Sequence, residues 1–172
     1  MLLIKKKNYF QFIKIMRHIF TIIIFSFVFG QFRLSIDTNG KFDNKDIESG
    51  ILLSYDKILY KQDNIKTGLG IEYMFPIDSK DLTYTDFSFN SIYMFLRFSY
   101  EKKWSSYLRL GFNVLDSNQL SSDGIAIAFG ADYKLNDNWH LETGYHIYSI
   151  DDSSYSKSVF SIVRHFKKKD DN

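Results

Sequence analysis

The sequence predicts an all-β chain, a single eight-stranded antiparallel up-and-down barrel that follows an export segment. Three observations predict it. A lysine-rich start leads into an apolar run that stops at Gly30; an aromatic, turn and glycine unit recurs three times; and alternate residues along the long strands differ in character.

The N-terminal segment comes first. Lys5, Lys6, Lys7, Lys14 and Arg17 form a basic region, Ile19 to Phe29 (IFTIIIFSFVF) an apolar one, and Val28 and Gly30 supply the modest side chains that a signal peptidase reads. Residues 1–30 are therefore expected to be a signal peptide, cleaved between Gly30 and Gln31. A retained membrane helix is the competing reading, but eleven apolar residues fall short of the roughly 20 that cross a bilayer.

Cleavage removes five of the 22 basic residues and none of the 20 acidic ones, so 17 basic residues face 20 acidic ones and the net charge becomes −3. The whole-chain pI of 8.6 then reflects export and gives no support to nucleic-acid binding. The chain has no cysteine, which excludes disulfides, thiolate metal sites and a lipid-modified N-terminal cysteine. Its 17 Phe, 12 Tyr and 2 Trp suit strands.

The repeat reads LYKQDNIKTGLGIEY from Leu59, FSYEKKWSSYLRLGF from Phe98 and DYKLNDNWHLETGYHIY from Asp132. Each copy is a strand end, a polar turn, a large apolar residue and a strand with a glycine. Copies about 35 to 40 residues apart match two strands, a tight turn and a longer loop. Stretches rich in Asp, Ser and Asn at 38–46, 77–86, 116–123 and 151–154 are the expected loops. Eight strands follow, near 31–37, 47–60, 65–76, 87–100, 104–115, 124–135, 139–150 and 155–166, with Pro76 at a strand end where its missing donor costs little. Most exceed the common five or six residues of soluble strands and match the roughly 9–11 that a tilted strand needs to cross a bilayer.

The sixth strand places Ile125, Ile127, Phe129, Ala131, Tyr133 and Leu135 opposite Gly124, Ala126, Ala128, Gly130, Asp132 and Lys134. The fifth sets Leu108, Leu110, Phe112 and Val114 against Tyr107, Arg109, Gly111 and Asn113; the third sets Leu69, Ile71, Tyr73 and Phe75 against Gly68, Gly70, Glu72 and Met74. Small and charged residues thus share a face. Glu72, Arg97, Arg109, Asp132, Lys134 and Glu142 are expected to pair in a narrow lumen, with the bulky face toward lipid. Tyr60, Tyr100, Trp104, Tyr133, Trp139 and Phe166, beside the short turns, are the expected aromatic girdle. The second and eighth strands, ILLSYDKILY and VFSIVRHF, alternate too poorly for their faces to be assigned.

A sheet in hydrocarbon must close, because open edges leave backbone groups without partners, and eight strands make a lumen that side chains fill. The fold class is therefore a transmembrane β-barrel over 31–166 with a charged tail at 167–172.

The turn pattern YKLNDNWHLETGY, its weaker copies around Asn64 and Trp104, the signal segment and a last strand ending SIVRHF together make the chain similar to the small OmpA/OmpX-like outer-membrane barrels. The resemblance implies short turns in the periplasm, longer loops outside, contact with outer-membrane lipids, and Phe166 as the aromatic end that the barrel assembly machinery reads. The tail KKKDDN departs from the family pattern, in which that signal ends the chain, and its KKK stretch at 167–169 could meet anionic headgroups on the periplasmic side.

Candidate chemistry is sparse. His140 and His146 are about 20 Å apart along a strand, too far to share an ion, and Glu142 adds no third ligand. No local motif marks a serine as a nucleophile, and the glycines of GLGIEYMFP precede a strand where a phosphate site would need a helix. Nine aspartates crowd the expected loops and lack calcium-loop spacing. No enzyme activity, cofactor or metal is expected. The reading is an outer-membrane barrel with an envelope-structural or surface-interaction role toward an unknown partner. The alternatives are a narrow channel for small solutes and a soluble periplasmic ligand-binding barrel with inverted faces.

Overall fold

The computed structural model describes residues 30–43, 45–76, 88–116, 121–150 and 153–166. The signal segment before Gly30, residue 44, the whole of the expected loop at 77–86 with residue 87, residues 117–120 and 151–152, and the tail at 167–172 lie outside the described residues.

The strands are β1 Gln31–Phe42, β2 Lys45–Ile47, β3 Ile51–Gln62, β4 Ile65–Met74, β5 Ser88–Ser99, β6 Trp104–Asp116, β7 Ser121–Lys134, β8 Trp139–Ile150 and β9 Ser153–His165. Each pairs antiparallel with its neighbour, and β1 also pairs with β9 from Gln31↔His165 to Phe42↔Tyr155, which closes the sheet. Short β2 and long β3 both lie along β1, so they form one wall position and the barrel has eight.

Two boundaries differ from the sequence reading. The expected first loop at 38–46 is mostly strand: β1 runs on to Phe42 through a register shift between Thr38 and Lys41, where Asn39 adopts a positive φ of 53°. The bulge absorbs an irregular residue and lets Phe42 point inward, so the polar TNGK stretch did not signal a strand end. The second strand, expected as one run over 47–60, is broken at 48–50, where Asp37 accepts a hydrogen bond from Gly50 N. Loops expected at 116–123 and 151–154 are shorter still, since 121–123 and 153–154 belong to strands.

Sidedness follows the pleat. Leu69, Met94, Leu110, Ile127 and Ile147 are direct cross-strand partners from β4 to β8, and Ile71, Ile92, Phe112 and Ile125 form the adjoining row. These rows face outward: Phe112 is 69% exposed, Leu110 51% and Ile125 55%. Glu72, Arg109, Asp132 and Asn113 face inward and are buried. The two strands left unassigned obey the same rule. In β3, Leu52, Ser54 and Asp56 point in; in β9, Tyr155, Lys157, Val159, Ser161 and Val163 do, with Phe160 and Ile162 outside.

The inner glycines make room for inward rings. A Cβ on Gly70 would lie 2.3 Å from the Tyr93 ring, and one on Gly144 would lie 2.0 Å from Tyr107 Oη and 2.6 Å from the Phe129 carbonyl. Gly144→Ala is therefore expected to destabilise the barrel by about 1–3 kcal/mol through overpacking, read as a lower urea midpoint in detergent.

Candidate functional site

The interior has two parts, set by which strand ends supply them. At the long-loop end Phe42, Ile47, Leu52, Met74, Phe89 and Leu115 form an apolar plug. Phe89 stacks on both Tyr148 and Tyr155, with centroids 4.9 Å apart in each case. The sequence reading assigned the inner face to small and charged groups and missed this plug, because its members sit at strand ends where alternation blurs.

From mid-barrel to the short turns the interior is ionic. Glu142 is the hub: Arg33 Nε lies 2.9 Å and Arg109 Nη2 2.6 Å from its Oε1, and Arg97 Nη2 lies 3.1 Å from Oε2. Arg33 also pairs with Asp56, which accepts a 2.6 Å hydrogen bond from the Tyr93 hydroxyl. The Arg109 guanidinium lies over the Tyr107 ring at 3.9 Å. Arg97 Nη1 donates to Gln31 Oε1 at 3.0 Å and lies 3.7 Å from Asp132 Oδ2. Nearer the plug, Glu72 accepts from Ser54 Oγ at 3.0 Å and from Tyr148, and lies 3.5 Å from His146 Nδ1. Lys157 Nζ lies 3.4 Å from Asp37 Oδ2.

Of the six charges the sequence nominated, the structure brings Arg97, Arg109, Asp132 and Glu142 into one network and places Glu72 in the adjoining one. Lys134 joins neither. It lies near the mouth, partly exposed, and pairs at 2.6 Å with Asp137 of the β7–β8 turn, because a residue two positions beyond Asp132 has already reached the rim. Arg33, Asp37, Asp56 and Lys157 were missed. The run QFRLSID carried the signal for two of them, since Gln31, Arg33, Ser35 and Asp37 alternate with Phe32, Leu34 and Ile36.

The expected girdle residues occupy one end of the outer wall. Tyr60, Tyr100, Trp104, Trp139 and Phe166 are exposed and Tyr133 is partly so. Trp104 packs on Tyr133 at 4.7 Å, Arg164 lies 4.7 Å over Trp139, and Phe166 meets Phe32 edge-on. At the expected cleavage point, Gly30 abuts β1 and its carbonyl accepts a 2.9 Å hydrogen bond from Phe166 N.

The enclosed space is small. The cavity among Glu72, Ser91, Tyr93, Arg109, Ala128, His146 and Tyr148 measures about 10 Å³, the room for about one water. Such an interior can lock a barrel.

Solved structures share this architecture. The chain matches the attachment invasion locus protein Ail of Yersinia pestis with a TM-score of 0.57 at 15% identity, covering 80% of this chain and 97% of that one. Neisserial surface protein A gives 0.57 at 16% identity, covering 81% and 97%. The N-terminal barrel domain of Pseudomonas aeruginosa OprF gives 0.58 at 11%, covering 80% and 97%. The fold is that of the small outer-membrane barrels. The OmpA/OmpX-like resemblance holds at the level of this fold. No protein-family model matches the chain, and no curated protein sequence is similar to it.

Glu142 carries the sharpest test of the ionic interior. Glu142→Ala leaves buried Arg109 with no carboxylate partner and takes one from Arg33 and Arg97, which keep Asp56 and Asp132, and is expected to cost about 3–5 kcal/mol, whereas Lys134→Ala, at the exposed rim, should stay within about 0.5 kcal/mol. Urea unfolding of both variants in detergent checks the contrast.

Proposed function

We propose that this chain is an integral outer-membrane β-barrel with a non-enzymatic role in envelope structure or surface interaction. The observation that carries the reading is the outer wall. Apolar residues pair in unbroken rows across five strands, with aromatic residues along the short-turn end. A soluble monomer rarely exposes an apolar patch beyond a few hundred Å², and water does not tolerate a belt of this kind, whereas a bilayer requires it. The likeness to outer-membrane barrels supports the location.

In this reading residues 1–30 direct export and are removed at Gly30. The girdle sits at the periplasmic interface, and Phe166 ends the strand that the barrel assembly machinery reads. The long loops face outward. One structure of Ail holds the heparin analogue sucrose octasulfate. In this chain the stretches expected as outer loops, with the strand ends the structure adds to them, carry Asp43, Asp46, Asp78, Asp81, Asp86, Asp116, Asp123, Asp151 and Asp152 against three lysines, so a cationic partner or cation-bridged headgroups suit them better than a sulfated polymer.

The narrow-channel alternative meets both the apolar plug and the ion-pair network, and the soluble alternative needs inverted faces. Unboiled protein is expected to migrate apart from boiled protein, to fractionate with outer membranes and to stay silent in planar bilayers. Recovery in the soluble periplasm, or steady conductance, would overturn the reading. Leu110→Arg, near the middle of the wall, is expected to cost about 2–4 kcal/mol for folding into bilayers, measured by reversible unfolding from vesicles.

A further inference from the structure

Three histidines lie in the barrel, and two of them meet an aspartate at its short-turn mouth. Asp132 pairs with Glu142 and Lys134 with His140 in the β7–β8 ladder, and His140 pairs with Val163 in the β8–β9 ladder. Inward positions therefore run diagonally from Asp132 on β7 to His140 on β8 to His165 on β9. Diagonal neighbours of this kind are within reach of long side chains.

The side chains close that distance. His140 Nδ1 lies 2.7 Å from Asp132 Oδ1, and the His140 and His165 rings stack with centroids 3.9 Å apart at 30°. One ligand atom from each of the three residues falls within 4.8 Å of the others. Two atoms of the trio are buried without a hydrogen-bond partner among the described residues, His165 Nε2 and Asp132 Oδ2. Buried polar atoms are rarely left so, and these two belong to the residue types that bind metals.

We propose that Asp132, His140 and His165 form a binding site for a divalent transition-metal ion of the zinc class. Two imidazole nitrogens and one carboxylate oxygen make a three-ligand set that leaves a fourth tetrahedral position for water. Nitrogen donors favour zinc over magnesium or calcium, which take oxygen shells. Tetrahedral zinc ligands at about 2.0–2.2 Å from the ion lie roughly 3.5 Å apart, so binding opens the 2.7 Å His140–Asp132 contact, draws in His165 and turns its ring out of the stack, because imidazole lone pairs lie in the ring plane. His165, the last residue of β9 and only partly buried, is placed to make that movement and to admit the ion from the turn side. Arg97, 3.7 Å from Asp132 Oδ2, keeps a positive charge beside the site and weakens binding. It retains Glu142 and Gln31 as partners when the ion takes the carboxylate.

A bound ion would tie β7, β8 and β9 together beside the β1–β9 seam. The inference stands apart from the outer-membrane reading, since a barrel in either location has this mouth. The test titrates zinc chloride into the chain folded in detergent micelles, followed by calorimetry and by the urea midpoint. One ion per chain at micromolar affinity is expected, with a raised midpoint and no response to magnesium chloride. His165→Ala should weaken binding at least tenfold while heat-modifiable migration persists. His165→Phe, which keeps the ring and loses both nitrogens, should do the same and serves if the alanine variant does not fold. Absence of saturable zinc binding, an equal response to magnesium, or binding that survives loss of the His165 nitrogens would overturn the proposal.

Discussion

Closure is the constraint on which the rest of this molecule depends. The β1–β9 ladder turns an open sheet into a cylinder, so each of the eight long strands has two neighbours, and among the described residues short β2 alone pairs on one side. A cylinder of eight strands also fixes how much can lie inside. Inward side chains must fill that space and satisfy one another, and outward ones are left to whatever surrounds the barrel.

The two faces then become separate problems. Outside, bulky residues in cross-strand rows from β4 to β8 make an apolar band, flanked by exposed Lys57 of β3 opposite Leu69 and by Ser156 of β9 opposite Ile147, with rings and polar partners at the short-turn end. Inside, burying Arg33, Arg97 and Arg109 is tolerable because Glu142, Asp56 and Asp132 stand within ion-pair distance. The glycines of the inner face give Tyr93 and Tyr107 the depth to lie across the lumen beside the Arg109 guanidinium. An interior packed this way has the character of a polar core.

The strands were legible because their signals are local. The turns around Asp63, Glu101 to Lys103 and Asn136 to Asn138 fall where the repeat put them, and the alternation of β4, β6 and β7 fixed which face is greasy. Failures arose where local signals mislead. Thr38 to Lys41 has the composition of a loop, yet a bulge carries β1 through it. ILLSYDKILY hides its alternation because Tyr55 faces outward but is covered by Phe32, 5.7 Å away between centroids. The zinc-class site was out of reach for a different reason. Along one strand His140 and His146 are far apart, whereas Asp132, His140 and His165 are neighbours only across three strands.

What the sequence determined by itself was the repeat, the eight wall positions and, along β4, β6 and β7, the side each residue faces, since a period of two and a turn are properties of adjacent residues. Tertiary structure decided the partners. Which carboxylate meets which guanidinium, how the plug seals one end and which histidines meet at the other depend on the register and curvature of the closed sheet, and those are fixed only when distant strands pair.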